Sequence, residues 1–538
     1  MTKLSALAAV LLVSAGLSAQ VTRARLDNAA GEPHNWLTYS GDYRSQRFSL
    51  LTQITPANVK TLEMAWIFQA RSLEKFTATP LVVDGIIYVT EAPNTVVALD
   101  AKTGRMFWQY QHTPAPDAKL CCGALNRGVA ILGDTLFMGT IDAQLVAIDA
   151  RSGRPVWKKE VADYRAGYSL TASPLVIGDK ILVGTAGGEY GIRGFVAAYD
   201  AATGSEIWRF NTIPSPGEPG HDSWKTDAWK SGGGSSWLTG SYDPDLNLTY
   251  WGIGNPGPDW NPAQRPGDNL YTDSVVALDA DTGRLKWYFQ FTPHDGADWD
   301  AVQIPVLVDA DWNGSRRKLL YWANRNGFFY VLDRATGEFL RGAPFVKQNW
   351  ATGLDARGRP LLAALPEGAP VFPGVQGGTN WYSPSYSPRT GLFYVSAWDD
   401  YSTIFTRQQM DHVPGQRFMG GRARSATPPL RRGPLNTWTE EAGHGAVIAI
   451  DPRTGERKWR YDMHDVTDAG ILTTASDLLF SGGREGYFFA LDARSGALLW
   501  RTTVGGQVSA APITYQAGTR QYVAIAAGNA LFAYALRE

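Results

Sequence analysis

The sequence predicts an all-β fold, an eight-bladed β-propeller of four-stranded antiparallel blades. The first observation is a repeat, Ala-x-Asp-x-x-Thr/Ser-Gly-x-x-x-Trp, at Ala98–Trp108, Ala147–Trp157, Ala198–Trp208, Ala277–Trp287, Ala449–Trp459 and Ala490–Trp500. The second is its period, roughly 40–55 residues where no insertion intervenes, which is the range of propellers and solenoids. The third is composition: Gly 57, Pro 31, Trp 20, Tyr 23 and Phe 21 are spread along the chain. That mixture suits many short strands joined by tight turns.

The Asp-x-x-Thr-Gly core of each copy reads as a turn, because Asp bonds backbone two residues on and Gly tolerates positive φ. Its flanks, such as Thr95–Leu99 and Arg105–Trp108, are short apolar strands. A tryptophan at a fixed offset is placed to pack between neighbouring sheets, and radial closure removes long exposed edges. A seventh copy, Leu332–Gly337, lacks the tryptophan, and Tyr386–Gly391 is an eighth, degenerate one. If Tyr386–Gly391 is only a loop, seven blades remain. The strand near Leu531–Tyr534 is expected to close the ring with N-terminal material. The spacers 209–276 and 392–445 are expected as loops on the faces of the ring, where function usually sits.

The N-terminus, Lys3 followed by an apolar run from Leu4 to Leu17 and small residues near Ala19, reads as a secretory signal peptide over 1–19. An uncleaved membrane anchor is the alternative. The expected mature protein, 20–538, is a single periplasmic domain that does not span the membrane after signal cleavage. The formal net charge of −1, with signs mixed, leaves no basic stripe, and no nucleic-acid partner is expected. Arg422, Arg424, Arg431 and Arg432 sit in a Pro- and Gly-rich stretch that reads as a solvated surface loop.

Candidate chemistry lies off the repeat. The only cysteines are neighbours, Cys121 and Cys122, followed by Arg127. Consecutive Cα atoms sit about 3.8 Å apart, whereas ordinary disulfides want roughly 4.4–6.8 Å. The pair is therefore either a tight ring kept by a specialised site or two reduced, buried thiols. Further runs are Leu170-Thr171-Ala-Ser-Pro174, Gly187-Gly188-Glu189, Gly232-Gly-Gly-Ser-Ser-Trp237 and Trp251-Gly-Ile-Gly-Asn255. After these come His294-Asp295-Gly-Ala-Asp298-Trp299-Asp300, Asn324-Arg325-Asn326-Gly327 and Thr379-Asn380-Trp381. Three acids within six positions of a long loop are more than a turn cap needs, although Asp295 and Asp298 could simply shape that loop. Glycines at 187 and 188 let backbone approach a ligand.

Together and in this order, these segments resemble the pyrroloquinoline quinone (PQQ)-dependent alcohol dehydrogenases, the methanol and ethanol dehydrogenase family. The resemblance spans essentially the whole mature chain. It implies a Cys121–Cys122 disulfide against one face of the quinone and Trp237 against the other. It implies cofactor contacts from Arg127, Thr171, Gly187, Gly188, Arg325 and Asn380. It implies Ca2+ held by Glu189, Asn255 and Asp300, with Asp300 as the catalytic base toward a small alcohol substrate. Because no Cys-x-x-Cys-His occurs, the resemblance implies a separate cytochrome c as electron acceptor. Calcium rather than a lanthanide is expected: lanthanide-using relatives carry an Asp two residues after the catalytic one, and Val302 stands there.

Two positions depart from the family pattern. Thr77 replaces a frequent Glu, and Asp468-Ala469-Gly470 stands where methanol dehydrogenases have Trp-Gly-Gly. The competing readings are a non-catalytic cell-envelope propeller scaffold and an inactive relative. The first leaves the cysteine pair, Trp237 and the Asp298–Asp300 run without a role.

Overall fold

In the computed structural model, which describes residues 20–425 and 444–537, each complete repeat joins the third and fourth strands of a blade. Thr95–Asp100 and Met106–Gln111 pair antiparallel with Ala98 opposite Trp108. Asp100 Oδ1 accepts from the backbone N–H groups of Lys102 and Thr103, both at 2.9 Å. The Trp108 indole N–H then donates to the Ala150 carbonyl of the next blade at 3.1 Å. Its ring covers Gly153, where a Cβ would sit 2.6 Å from the indole, so only glycine fits beneath it. The same seal recurs from Trp157 to Ala201, Trp208 to Ala280, Trp287 to Arg334 and Trp459 to Ala493.

Seven four-stranded blades follow in chain order over 81–111, 130–160, 175–211, 241–290, 306–344, 385–462 and 472–503, the last gaining a fifth strand from Phe48–Ser49, parallel to Leu472–Thr474. The first strand of a blade is more buried than the fourth, as in Leu81–Val83 against the half-buried to exposed Met106–Gln111. The eighth blade is built from both ends of the described chain. Ile513–Ala517, Arg520–Ala527 and Ala530–Leu536 are completed by Leu62–Gln69 as the outer strand. The expected ring closure is thus present, and Trp66 supplies the tryptophan of this blade, which carries no copy of the repeat. It lies opposite Ala533, donates to the Ala101 carbonyl at 3.2 Å and covers Gly104.

The degenerate copy is a correction. Tyr386–Gly391 joins the first and second strands of the sixth blade, Ser385–Ser387 and Leu392–Asp399. That blade's third-to-fourth turn is already the Ala449–Trp459 copy. Eight blades are right, but this turn is not the eighth unit. The spacers also hold more than loops. The first contains Ser241–Asp243 and Leu248–Gly252 of the fourth blade. The second contains Leu392–Asp399 and a hairpin, Thr403–Arg407 with Gly421–Ser425. Arg422 and Arg424 therefore lie in a strand, whereas Arg431, Arg432 and the expected leader fall outside the described residues.

An N-terminal segment stitches the inner strands together. Trp36 bridges Val82 of the first blade. The buried Arg47 guanidinium donates to Ile471 and Pro512 carbonyls of the seventh and eighth. No helix among the described residues is long and apolar enough to cross a membrane.

Because Trp66 closes the ring, Trp66→Ala is expected to cost about 3–5 kcal/mol, the usual range for a large buried aromatic. Thermal or denaturant unfolding checks this. A change within about 0.5 kcal/mol, typical of a surface position, would show that closure does not depend on the seal.

Candidate active site

Loops entering the inner strands of successive blades converge at one end of the ring. Thr77, Arg127, Thr171, Trp237, Asp300 and Asn380 lie just ahead of strands that begin at Leu81, Ala130, Leu175, Ser241, Val306 and Ser385. A second set follows the second strands: Glu189 after Lys180–Gly184, Asn255 after Leu248–Gly252 and Arg325 after Ser315–Ala323. These two sets, with Cys121, Cys122 and Gly187, line one cavity of about 260 Å3, except Asn255. Asn255 and Gly188 sit in the wall behind: a Cβ on Gly188 would lie 3.8 Å from Asn255 Oδ1.

Cys121 and Cys122 form a disulfide, with Cα atoms 3.8 Å apart. Of the two readings the residues left open, the ring is the one present. Cys122 Sγ lies 3.9 Å from Glu189 Oε1, so the disulfide and the acid share one wall. Freshly purified protein is expected to take up no alkylating agent until reduced and then two equivalents, read by mass. Alkylation without reductant would contradict the pairing.

Asp300 is the most heavily bonded acid of the cavity. Its Oδ2 accepts from Arg325 Nη1 at 2.6 Å and from the Trp237 indole N–H at 3.2 Å. Its Oδ1 accepts from the Asn255 backbone N–H at 2.9 Å. The last contact needs glycine at 254, because a Cβ there would fall 2.2 Å from Asp300 Oδ1. Glu189 rides on the short 3-10 turn Gly188–Tyr190, entered through Gly187 at φ 116°. Thr171 Oγ1 donates to the Trp237 carbonyl at 3.4 Å, and Asn380 Nδ2 to the Gln376 carbonyl at 3.0 Å.

The charges are unbalanced in a directed way. Arg325 faces both Asp300 and Asp298, the latter at 3.6 Å. Burial pushes the Glu189 carboxyl up to about 7, and Asp300 adds to the rise. Burial also raises Asp298 well above the carboxylate range, against the pull of Arg325. Asp259, absent from the sequence-based site, is raised by burial and by Glu189. Among the described residues only Arg325 is ion-paired with these acids, Arg265 and Arg417 acting through space, and the surplus of carboxyl oxygens is a donor set for a hard cation. Nearby, the buried Arg127 guanidinium lies 5.0 Å from the Trp237 ring centroid and 5.3 Å from that of Trp381. Burial pulls it down to about 10, and its Nε has no hydrogen-bond partner. An unpaired buried cation beside two indoles, next to an excess of acids, fits an anionic aromatic ligand that also meets a metal ion.

Asp295 does shape its loop: its carboxylate accepts from the N–H groups of Ala297 and Trp299, both at 2.9 Å. Asp298 instead lines the cavity. Val302 is buried in a small cluster with Tyr39, Leu238 and Ile304. The two departures each have a local partner. Thr77 lines the cavity and donates to the Asn126 carbonyl at 3.4 Å. Asp468 accepts from Arg484 at 2.8 and 3.0 Å and from Gln507 at 3.0 Å, and it lies 3.5 Å from Lys75 Nζ. Sequence reasoning missed Lys75 and Lys119, which line the cavity, as well as Asp259. Asp259 lies four residues after Asn255, a signal no stronger than an ordinary turn acid gives.

Residues 36–344 match the family model PQQ, described as glucose/ethanol/alcohol dehydrogenase, beta-propeller domain. Quinoprotein alcohol dehydrogenase PedH of Pseudomonas putida is 37% identical over 553 residues, covering 97% of this chain and 90% of that protein. The chain belongs to the PQQ-dependent alcohol dehydrogenases. It is accordingly an oxidoreductase of alcohols that works with this quinone and a metal ion. Another member of the family, 1-butanol dehydrogenase (cytochrome c) of Thauera butanivorans, is 37% identical over 552 residues, covering 95% of this chain and 77% of its own. Among solved structures, a europium-containing methanol dehydrogenase superposes with a TM-score of 0.89 at 32% identity, over 95% of this chain and 100% of that one. Residues 443–537 also match a model described as outer membrane protein assembly factor BamB. That match is confined to the closing blades, so the scaffold reading has no hold on the cavity.

Proposed function

We propose that this PQQ-dependent dehydrogenase oxidises a small primary or secondary alcohol with Asp300 as base and calcium as its metal. Electrons are then passed to a separate cytochrome c in the periplasm. The carrying observation is Asp300, held on three sides at the cavity wall. A carboxylate offers about four acceptor positions, and three here are taken by Arg325, Trp237 and Asn255. The remaining one is free to accept the substrate hydroxyl proton. Arg325 and the Trp237 N–H fix the carboxylate, so no rotation is needed before transfer. The quinone, when bound, supplies the hydride acceptor. Arg127 and Asn380 would hold its polar edge, with Trp237 and the disulfide against its plane. Glu189 and Asn255 would hold the metal, which supplies Lewis acidity, with Asp300 beside it as the base.

Calcium is favoured by Val302, whose side chain offers no oxygen, and by the Arg325 ion pairs that already draw on Asp298 and Asp300. The cytochrome acceptor is supported by the 1-butanol dehydrogenase relative, whose name carries that acceptor. Periplasmic location is supported by the leader-like N-terminus. The test is turnover after metal removal and reconstitution with quinone plus either calcium or a light lanthanide. Calcium is expected to restore activity. Recovery with the lanthanide alone would overturn the metal assignment and point to Asp298 as the extra ligand.

A further inference from the structure

Behind Asn255 lies a buried carboxylate that, among the described residues, has no ion-pair partner and feels the Arg265 charge only through space. Asp259 is fully buried. Its Oδ1 accepts from Asn255 Nδ2 at 3.1 Å, and its Oδ2 has no hydrogen-bond partner. A buried arginine sits six residues on, but its guanidinium is spent elsewhere. Arg265 Nε donates to the Pro258 carbonyl at 3.2 Å, and Nη2 to the Asp259 and Asp295 carbonyls. Its Nη1 donates to Asn269 Oδ1 at 3.0 Å. Arg265 thus braces the loop through its backbone and leaves the Asp259 carboxylate turned to Asn255. A buried carboxylate without an ion-pair partner is costly to keep charged, and a cation seated in front of Asn255 would offset that cost.

We propose that Asp259 is a positioning residue for the metal site. By accepting from the Asn255 amide N–H2, it commits the Asn255 oxygen to the cation, and it adds a negative charge behind that ligand. Outer partners of this kind fix the orientation and basicity of a metal ligand. Asp259 would thereby supply part of the charge that Val302 does not. The inference rests on the metal reading above, with Asn255 and Glu189 as ligands.

The test compares wild type, Asp259→Asn, Asp259→Ser and Glu189→Gln, all in the presence of excess quinone. Calcium binding is measured by titration calorimetry and by calcium retained after dialysis against a chelator. Thermal melting is recorded with and without calcium. Both Asp259 variants are expected to bind calcium about 10–100-fold more weakly. They are also expected to melt at or above wild type when metal-free, because a buried carboxyl without an ion-pair partner has been replaced by a neutral side chain. Calcium affinity equal to wild type would overturn the proposal, as would metal-free variants that melt well below metal-free wild type, the mark of a packing residue. Failure of the metal reading itself looks different: wild type and Glu189→Gln would then bind calcium equally, or neither would bind it.

Discussion

Asp300→Asn is expected to leave the propeller folded and the quinone bound while lowering turnover by about 10²–10⁴-fold, the usual cost of losing a general base. The amide can still accept from Asn255 and occupy the same space, but it cannot take the hydroxyl proton. It also places an N–H2 group beside Arg325, which donates to the native carboxylate at 2.6 Å. Some loss of local order around Arg325 is therefore expected, and the fold must be checked by melting. Steady-state rates on quinone-loaded enzyme, normalised to bound quinone, decide the matter. Near wild-type turnover would remove Asp300 from the chemistry.

Glu189→Gln carries the second large effect. The side chain keeps its size but loses the charge, and calcium retention is expected to fall by more than the ~10–100-fold that an outer partner costs. A pH signature accompanies it. Without metal the Glu189 carboxyl is pushed up to about 7, and it must lose its proton to act as a ligand. Metal uptake by the wild type is therefore complete above that value and weakens as pH falls through it, by about tenfold per unit for one displaced proton. In Glu189→Gln this dependence is expected to flatten. Calcium titrations between pH 5.5 and 8.5, about 1.5 units either side of the carboxyl, check both points. A wild-type affinity unchanged across the window would take Glu189 out of the ligand set.

The propeller was legible because its turn chemistry is local. Asp100, Gly104 and Trp108 announce a blade edge within one short stretch, and the structure uses them as that spacing suggests. The eighth blade was harder to place, because its outer strand comes from the other end of the chain. Trp66 carries no Asp-x-x-Thr-Gly turn before it, and its pairing with Ala533 is a long-range fact. Tyr386–Gly391 misled for the converse reason: the same turn residues serve equally well between first and second strands.

The site was legible through its order along the chain more than through any single residue. Each inner-strand loop contributes one or two side chains, so the separate runs around Arg127, Thr171, Trp237, Asp300 and Asn380 meet at one end of the ring. Asp259 escaped notice because its significance is spatial. It depends on Arg265 being occupied by carbonyls and on the Asn255 amide facing back toward it. Neither follows from spacing. Asp468 looked like a defect beside the family pattern, yet it is bound by Arg484 and Gln507 and faces Lys75. The indole was replaced by an ion network, not by a gap.

The central claim is that this one cavity binds quinone and metal and oxidises an alcohol. The most direct measurement is the absorbance spectrum of the metal-free protein after incubation with pyrroloquinoline quinone and calcium, followed by gel filtration and addition of a primary alcohol. The account predicts quinone absorbance that co-elutes with the protein only when calcium is present and changes when alcohol is added. Quinone that separates from the folded protein in the presence of calcium would contradict it.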